Sequence, residues 1–496
     1  MIRSLSFILL FILLTQTTYS QTPKSKAPAD PPALSAIKES DLKNDLYEMA
    51  DPHFRGRSAG TLDELKASVW FAKKMQEAGL QPAGDDGTYF QFFSLWRNKI
   101  APSSTISIGD RALNLWQDVL VAQTSPAKVS APIMFLGSAE KINFGPLNVK
   151  GKAVALQASK QGVLFRSLPE WRYSREMMVK YGNDLLAKGA AAIIFISDEY
   201  GEHSWEYALH NFKTGSFDIE GGPNAVMTTK PPVFWLHSSA LTWIKQEGLM
   251  LNANIMLDSF TYPSVNIVGK TPGSDPVLSK EYVLLSGHPD ALGVRNVINN
   301  DSIYHGADDN ASVNVAMLAV MRAFKKSPAK RSALIVIHGA EERGLLGSKW
   351  YAAHPTVPLQ SIVAVLNGDM IGRNSPDSAG IMGSQAPHRN SPQLVNMALE
   401  ANNEGPKFKL DTLWDKVTHP EVWYFRSDHL PYARLGIPAI MYTSFLHSEY
   451  HTPADNAKNI NYAKLKKMTD WIYRTAWKVG NAEKRPASDP NFKLER

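Results

Sequence analysis

The sequence predicts an α/β fold: a three-layer α/β/α sandwich around a mostly parallel central sheet, interrupted by a smaller inserted domain of α+β, β-rich character. Three observations predict it. From Val265 onward, strand-like runs alternate with helix-like stretches. Those strand runs are apolar at every position, as strands covered on both faces are. The chain has 496 residues, more than one hydrophobic core normally spans, and residues 106–260 have a texture of their own.

In chain order, residues 1–20 read as an export signal. Arg3 supplies the positive start, Phe7 to Leu14 is an unbroken apolar run too short to span a bilayer comfortably, and Thr18-Tyr19-Ser20 is a small-residue cleavage site before Gln21. Residues 21–35, rich in Pro, Ala and Lys, read as a flexible lead-in. Residues 36–105 hold two helices, over 39–50 and 62–78, with apolar residues at three-and-four spacing. A turn-rich link, Pro52-His53-Phe54-Arg55-Gly56-Arg57, joins them, and an aromatic extended segment follows over 87–96. Residues 106–260 show short β-prone runs at 119–122, 132–136, 153–156, 191–196 and 232–236, with one helix over 177–188. Residues 204–210 read as a polar loop, because their Trp, His and Tyr have no catalytic spacing. Residues 261–482 alternate strands (282–285, 333–337, 362–366, 439–442) with helices (312–325, 345–353, 392–403, 462–479). Residues 483–496 form a tail.

Composition narrows the function. Acids and bases are interspersed at a net charge of +6, and the densest basic stretch, residues 325–331, falls in a turn between a helix and a strand. No basic stripe with interleaved aromatics is present, so nucleic acid is not expected as a partner. Cysteine is absent, which removes disulfides, thiolate metal sites, cysteine nucleophiles and a lipoprotein anchor. With a cleaved leader and no second apolar segment of membrane-spanning length, a periplasmic or secreted protein without stable membrane insertion is expected.

The chemistry gathers at the carboxyl ends of the strands, where open α/β sheets bind ligands. His288 and Asp290 follow the 282 strand, Glu341 and Glu342 the 333 strand, Asp369 the 362 strand, and His451 lies in the loop after the 439 strand. Asp308 and Asp309 open the 312 helix. Singly, each has a plain structural reading: a solvated turn, a helix cap, a loop histidine. Jointly they place too much negative charge in one place to bury without cations. Oxygen and nitrogen donors without thiolate suit zinc with an open position for water.

The strings Ser286-Gly287-His288-Pro289-Asp290, Gly306-Ala307-Asp308-Asp309-Asn310-Ala311-Ser312, Ala340-Glu341-Glu342-Arg343-Gly344-Leu345-Leu346-Gly347-Ser348, Asn367-Gly368-Asp369-Met370, Ser427-Asp428-His429 and Tyr450-His451-Thr452-Pro453-Ala454-Asp455 occur in this order. Together they resemble the di-zinc exopeptidase superfamily that includes bacterial leucyl aminopeptidases, glutamate carboxypeptidase II and the transferrin receptor ectodomain. The resemblance implies two Zn²⁺ ions, one on His288 and Asp369, the other on Glu342 and His451, with Asp309 bridging both. It implies Glu341 as general base toward a water between the metals, Asp290 as orienter of the His288 ring, and Tyr450 as a hydroxyl donor to the tetrahedral intermediate. It implies peptide substrates, and a protease-associated domain for the 106–260 insert. Val313 departs from the glycine common at its position.

Alternatives remain at this point. His447, four residues before His451, competes as a ligand. His338, Asp428 and His429 read as structural groups near the site. An aminopeptidase is the first reading. A carboxypeptidase or dipeptidase needs basic residues to grip a carboxylate, for which Arg343, Arg373 and Arg426 are candidates. A non-catalytic binding protein or a glutaminyl-cyclase-like transferase would lack part of the ligand set.

Overall fold

The computed structural model describes residues 30–159 and 169–495. The leader expected over 1–20, and residues 21–29 of the lead-in, lie outside them.

Two sheets organise the described residues. The larger has ten strands. Its centre is Ser332–Ile337, Tyr282–Gly287, Ile362–Gly368 and Ala439–Thr443, paired parallel throughout. Parallel neighbours need crossover connections, and the helices Ser312–Lys326 and Leu346–Ala353 provide two of them. The strands that border these four are antiparallel to them. Leu257–Thr271 pairs with Ser332–Ile337 on one side and with Phe90–Ile100 on the other, and Ser378–Met382 pairs with Ala439–Thr443. The parallel register read from the apolar runs thus holds for the central four strands. The flanking strands carry no comparable run, and the outermost of them, Lys409–Leu410, returns parallel to Ser378–Met382 through the helix Pro392–Glu404.

Strand alternation divides the core between the two faces. Val283, Leu285, Ile335 and Ile337 pack against Leu42 and Leu46 of the Glu39–Met49 helix, against Val315 and Met317 of Ser312–Lys326, and against Trp471 of Tyr462–Asn481. Leu284, Leu334, Val336 and Val365 point the other way, onto Tyr351 and Tyr432 of the helices Leu346–Ala353 and His429–Arg434. Each such fully buried aliphatic side chain contributes roughly 1.5–3 kcal/mol. Four parallel strands covered on both faces end on the same side, so their following loops converge.

The second sheet has eight strands, all drawn from residues 105–255. Ala127–Ser138, Ala153–Gln157, Ala192–Ile196 and Val233–Leu236 are parallel neighbours, with their own core of Ile194, Phe234 and Leu251. Two local expectations are corrected here. The polar loop expected at 204–210 is the interior of a helix, Glu199–Thr214. The Asp198 side chain caps it by accepting the Gly201 N–H at 2.8 Å, and Trp205 and Ala208 bury against Trp235. The three-residue spacing of those two was masked by the polar residues around them. The helix expected over 177–188 begins earlier, at Pro169, and runs through one π turn, Met178–Gly182, to Ala187.

The chain then returns to the first sheet. Ser216–Ile219 pairs antiparallel with the Phe90–Ile100 strand. Gly215 makes the bend at φ 86°, where an added Cβ would lie 2.1 Å from the Asn98 carbonyl oxygen, so only glycine fits. This bend sets the end of the Glu199–Thr214 helix beside the carboxyl ends of the central strands.

Candidate metal centre

Each ligand-type side chain sits in a loop or turn beside the end of a regular element. His288 follows Tyr282–Gly287 directly. Its Nδ1 lies 3.1 Å from the Asp290 carbonyl oxygen. Donation there leaves the Nε2 lone pair facing the acids. Asp309 lies in the single π turn Ala307–Ala311 ahead of the Ser312–Lys326 helix, and the Asp309–Asn310 peptide is cis. The Asp455 carboxylate accepts the N–H groups of Asp308 and Asp309 at 2.8 and 3.1 Å. Glu341 and Glu342 lie in a short 3-10 turn after Ala340 at φ 55°. Asp369 follows the Ile362–Gly368 strand, its N–H donating to the Tyr442 carbonyl at 2.9 Å. His451 has φ 57° and stacks on Tyr450.

These loops bring the five side chains into two overlapping groups. Ligand atoms of His288, Asp309 and Asp369 lie within 4.8 Å of one another, as do those of Asp309, Glu342 and His451. Asp309 is common to both and divides its oxygens between them. Oδ1 is 3.4 Å from His288 Nε2, and Oδ2 is 3.2 Å from His451 Nε2. His451 Nε2 is also 3.2 Å from Glu342 Oε1, and His288 Nε2 is 3.9 Å from Asp369 Oδ2. Glu341 stands beside the cluster, its Oε2 3.7 Å from His288 Nε2.

The electrostatics show a cluster in need of cations. Burial, then the charge of Asp309, pushes the Asp369 carboxyl up to about 8. Burial also carries Glu341 well above the carboxylate range, with Glu342 and Asp369 adding to it against the pull of His288. Burial opposes charge on His451, yet Glu342 and Asp309 raise it to about 9. Protons on imidazoles and acids thus do what a metal ion would do better. The fit is also visible in the orphaned atoms. His288 Nε2, His451 Nε2 and Glu342 Oε1 are buried without a hydrogen-bond partner, and all three face the cluster. Unpaired buried polar atoms are costly, and a cation at each group satisfies them.

Asp290 does more than face the His288 ring, from which its Oδ1 is 3.6 Å away. Its two oxygens accept the backbone N–H groups of Glu341 and Glu342 at 3.0 and 3.2 Å. Tyr450 lines the pocket, and its hydroxyl accepts from Arg426 Nη2 at 2.9 Å. His447 belongs to neither group. Its Nε2 is 3.5 Å from Asp308 Oδ2 and its Nδ1 3.2 Å from Glu449. His338 is buried, held down to about 3 by burial, and meets the Tyr432 hydroxyl at 3.2 Å. Asp428 and His429 are buried at the start of the His429–Arg434 helix.

Sequence reasoning missed Arg57. This fully buried guanidinium donates to four carbonyl groups: Pro289 at 2.6 Å, His305 at 2.7 Å, Met49 at 2.9 Å and Gly306 at 2.9 Å. It ties the loop after His288 to the turn before Asp309. Nothing in the turn-rich link marked it among the surrounding basic residues. Also missed was the insert's share of the site. A pocket of about 550 Å³ opens over the cluster, and Asn211, Phe212 and Phe217 line it together with Glu341, Arg343 and Trp423.

Residues 266–476 match peptidase family M28. Among curated proteins, the chain is similar to aminopeptidase YwaD of Bacillus subtilis, 26% identical over 209 residues that make up 40% of this chain and 43% of that one. It is similar also to a probable leucine aminopeptidase of Arthroderma otae, 25% identical over 46% of this chain and 60% of that one. The matched segments span less than two thirds of either relative. Among solved structures, an aminopeptidase from Aneurinibacillus sp. strain AM-1 superposes over 93% of this chain and 98% of its own, with TM-score 0.57 and 15% identity. BSAP, a zinc aminopeptidase from Bacillus subtilis, does so over 92% and 99%, with TM-score 0.55 and 19% identity. At that identity the likeness shows the fold.

Proposed function

From the peptidase family M28 segment that this chain carries over residues 266–476, we propose that the protein is a zinc-dependent aminopeptidase that removes N-terminal residues from peptides. The observation that carries this reading is the sharing of Asp309 between two three-residue groups of donors. His288 and Asp369 would hold one zinc ion, Glu342 and His451 the other, with Asp309 between them. When bound, zinc supplies Lewis-acid polarisation of the scissile carbonyl and a water acidified toward neutrality.

The chain's own residues do the rest. Glu341 accepts a proton from the attacking water as the C–O bond forms, then hands it to the amine nitrogen as the tetrahedral intermediate collapses and the C–N bond breaks. The same burial that raises this carboxyl favours its holding that proton between the two steps. Tyr450 is positioned by Arg426, which donates to its oxygen. That leaves the phenolic O–H free to donate to the oxygen on which negative charge develops. Asp290 holds Glu341 and Glu342 at fixed separation through their N–H groups.

We assign residues 106–260 to an inserted unit of protease-associated type that forms one wall of the entrance, a reading supported by Phe212 and Phe217 in the pocket lining. Export follows from the leader read in residues 1–20. Among the described residues, no helix is long and apolar enough to cross a membrane.

The test combines zinc content with cleavage of aminoacyl anilides, and compares N-acetylated with C-amidated peptides, with and without chelator. Two zinc equivalents, chelator-sensitive cleavage and loss of cleavage on N-acetylation are expected. Cleavage of N-acetylated peptides from the carboxyl end would replace this reading with the carboxypeptidase one. Glu341→Gln should lower kcat by roughly 10²–10⁴-fold with zinc retained, and undiminished kcat would remove Glu341 as the base.

A further inference from the structure

Three arginines were candidates for gripping a substrate carboxylate, and the structure separates them. Arg373 is paired with Glu449 at 2.7 Å. Arg426 is paired with Glu421 at 3.1 Å and committed to the Tyr450 hydroxyl. Arg343 alone of the three lines the pocket without a carboxylate partner. Its guanidinium donates to Ser58 Oγ at 3.1 Å, and it forms no ion pair among the described residues. Its Nε is buried with no hydrogen-bond partner.

The surroundings hold this cation in place without neutralising it. The guanidinium carbon stands 4.8 Å from the centre of the Phe217 ring, in cation–π contact. Phe217 is itself fixed, because Ser216–Ile219 is a strand of the large sheet. The acids nearest in charge are already committed. Asp290 accepts the N–H groups of Glu341 and Glu342, and Glu342 faces His451. Arg295 lines the same pocket, its Nε donating to the Leu292 carbonyl at 3.2 Å, and adds positive potential there. A planar donor fork supported on an aromatic face, beside the catalytic cluster and lacking its own anion, is built for a carboxylate.

We propose that Arg343 is a specificity-determining residue that receives a carboxylate of the peptide substrate. The proposal rests on the peptidase reading above and adds the substrate class to it. Two sources supply that chemistry: the α-carboxylate of a short peptide, or an acidic side chain next to the scissile bond. Either supplies the carboxylate partner that Arg343 lacks, and a neutral substrate leaves the guanidinium without one.

The experiment compares kcat/KM of the zinc-loaded full chain on Leu-Leu, Leu-Leu-amide, Glu-Leu-amide and Leu-Glu-amide. At least one of the three peptides that carry a carboxylate should exceed Leu-Leu-amide by about tenfold or more. An advantage for Leu-Leu identifies the α-carboxylate as the source, and an advantage for either Glu peptide identifies the side chain. In Arg343→Met that ratio should collapse toward one, while Arg343→Lys keeps part of it. Parity of all four peptides in the wild-type protein overturns the proposal and leaves the peptidase reading standing. A ratio preserved in Arg343→Met also overturns it. Cleavage of none of the four removes the peptidase reading and this proposal with it. The wild-type comparison decides even if a substituted chain fails to fold.

Discussion

One carboxylate oxygen of Asp290 accepts the backbone N–H of Glu341 at 3.0 Å, and through it the loop after one strand sets the position of a carboxylate after the next. The other oxygen does the same for Glu342. In Asp290→Asn an amide NH₂ must face one of these N–H groups. Zinc affinity should fall by roughly 10–100-fold, with kcat lowered because Glu341 is displaced. Competition with a chromogenic chelator measures the first effect. Unchanged affinity would make Asp290 a bystander.

Arg57 satisfies four carbonyl groups from within the protein. Arg57→Ala removes the charged donor from all four, of which the Gly306 oxygen keeps the Ala311 N–H, a loss of about 3 kcal/mol or more by the usual worth of charged hydrogen bonds. Urea unfolding measures the loss. Zinc affinity should fall with it, because Pro289 and Gly306 flank the ligand loops.

Buried Glu64 introduces a pH dependence away from the donor groups. Burial, then the charge of Asp290, pushes its carboxyl up to about 8 from an ordinary 4.5, against the hydrogen bonds from Ser264 and Gly60. The folded state therefore keeps a proton that the unfolded chain releases. The associated stability is fully present below pH 4.5 and is lost as pH rises through 8. In Glu64→Gln the amide can donate to Ser264 and accept from Gly60, so the fold is kept. The difference in unfolding free energy should move in the variant's favour across this window, by up to about 1.4 kcal/mol per pH unit. A constant difference would refute the assignment.

Metal removal should destabilise the chain, and more so as pH rises. Without metal, Asp369 titrates at about 8 against an ordinary 3.8. Its contribution is complete below the lower value and lost on passing the higher one. Metal ions reverse this by pairing with the ionised form. Thermal unfolding with and without chelator should show a gap in Tm that widens from mildly acidic to mildly alkaline pH, and a gap that narrows would contradict it.

The core strands and the acids at their ends were legible because both signals are local. Val283, Leu284 and Leu285 are apolar in succession because both faces of the sheet are covered. The motif strings lie within a few residues of the strand ends they follow. The helix Glu199–Thr214 was illegible because its fully buried apolar residues are only Trp205 and Ala208, set among charged and polar neighbours. Arg57 was illegible because its four partners come from segments as much as 249 positions away in the chain.

The amino-acid sequence alone determined the order of the four central strands and the helices between them, the absence of thiolate chemistry and the residue types offered to a metal, since composition and short-range periodicity encode these directly. Only the tertiary structure decided that Asp309 directs one oxygen to each imidazole, that His447 faces Asp308 instead, and that Arg343 stands in the pocket without an anion. Those facts depend on distances between loops remote in sequence, which packing of the sheet sets and no local pattern records.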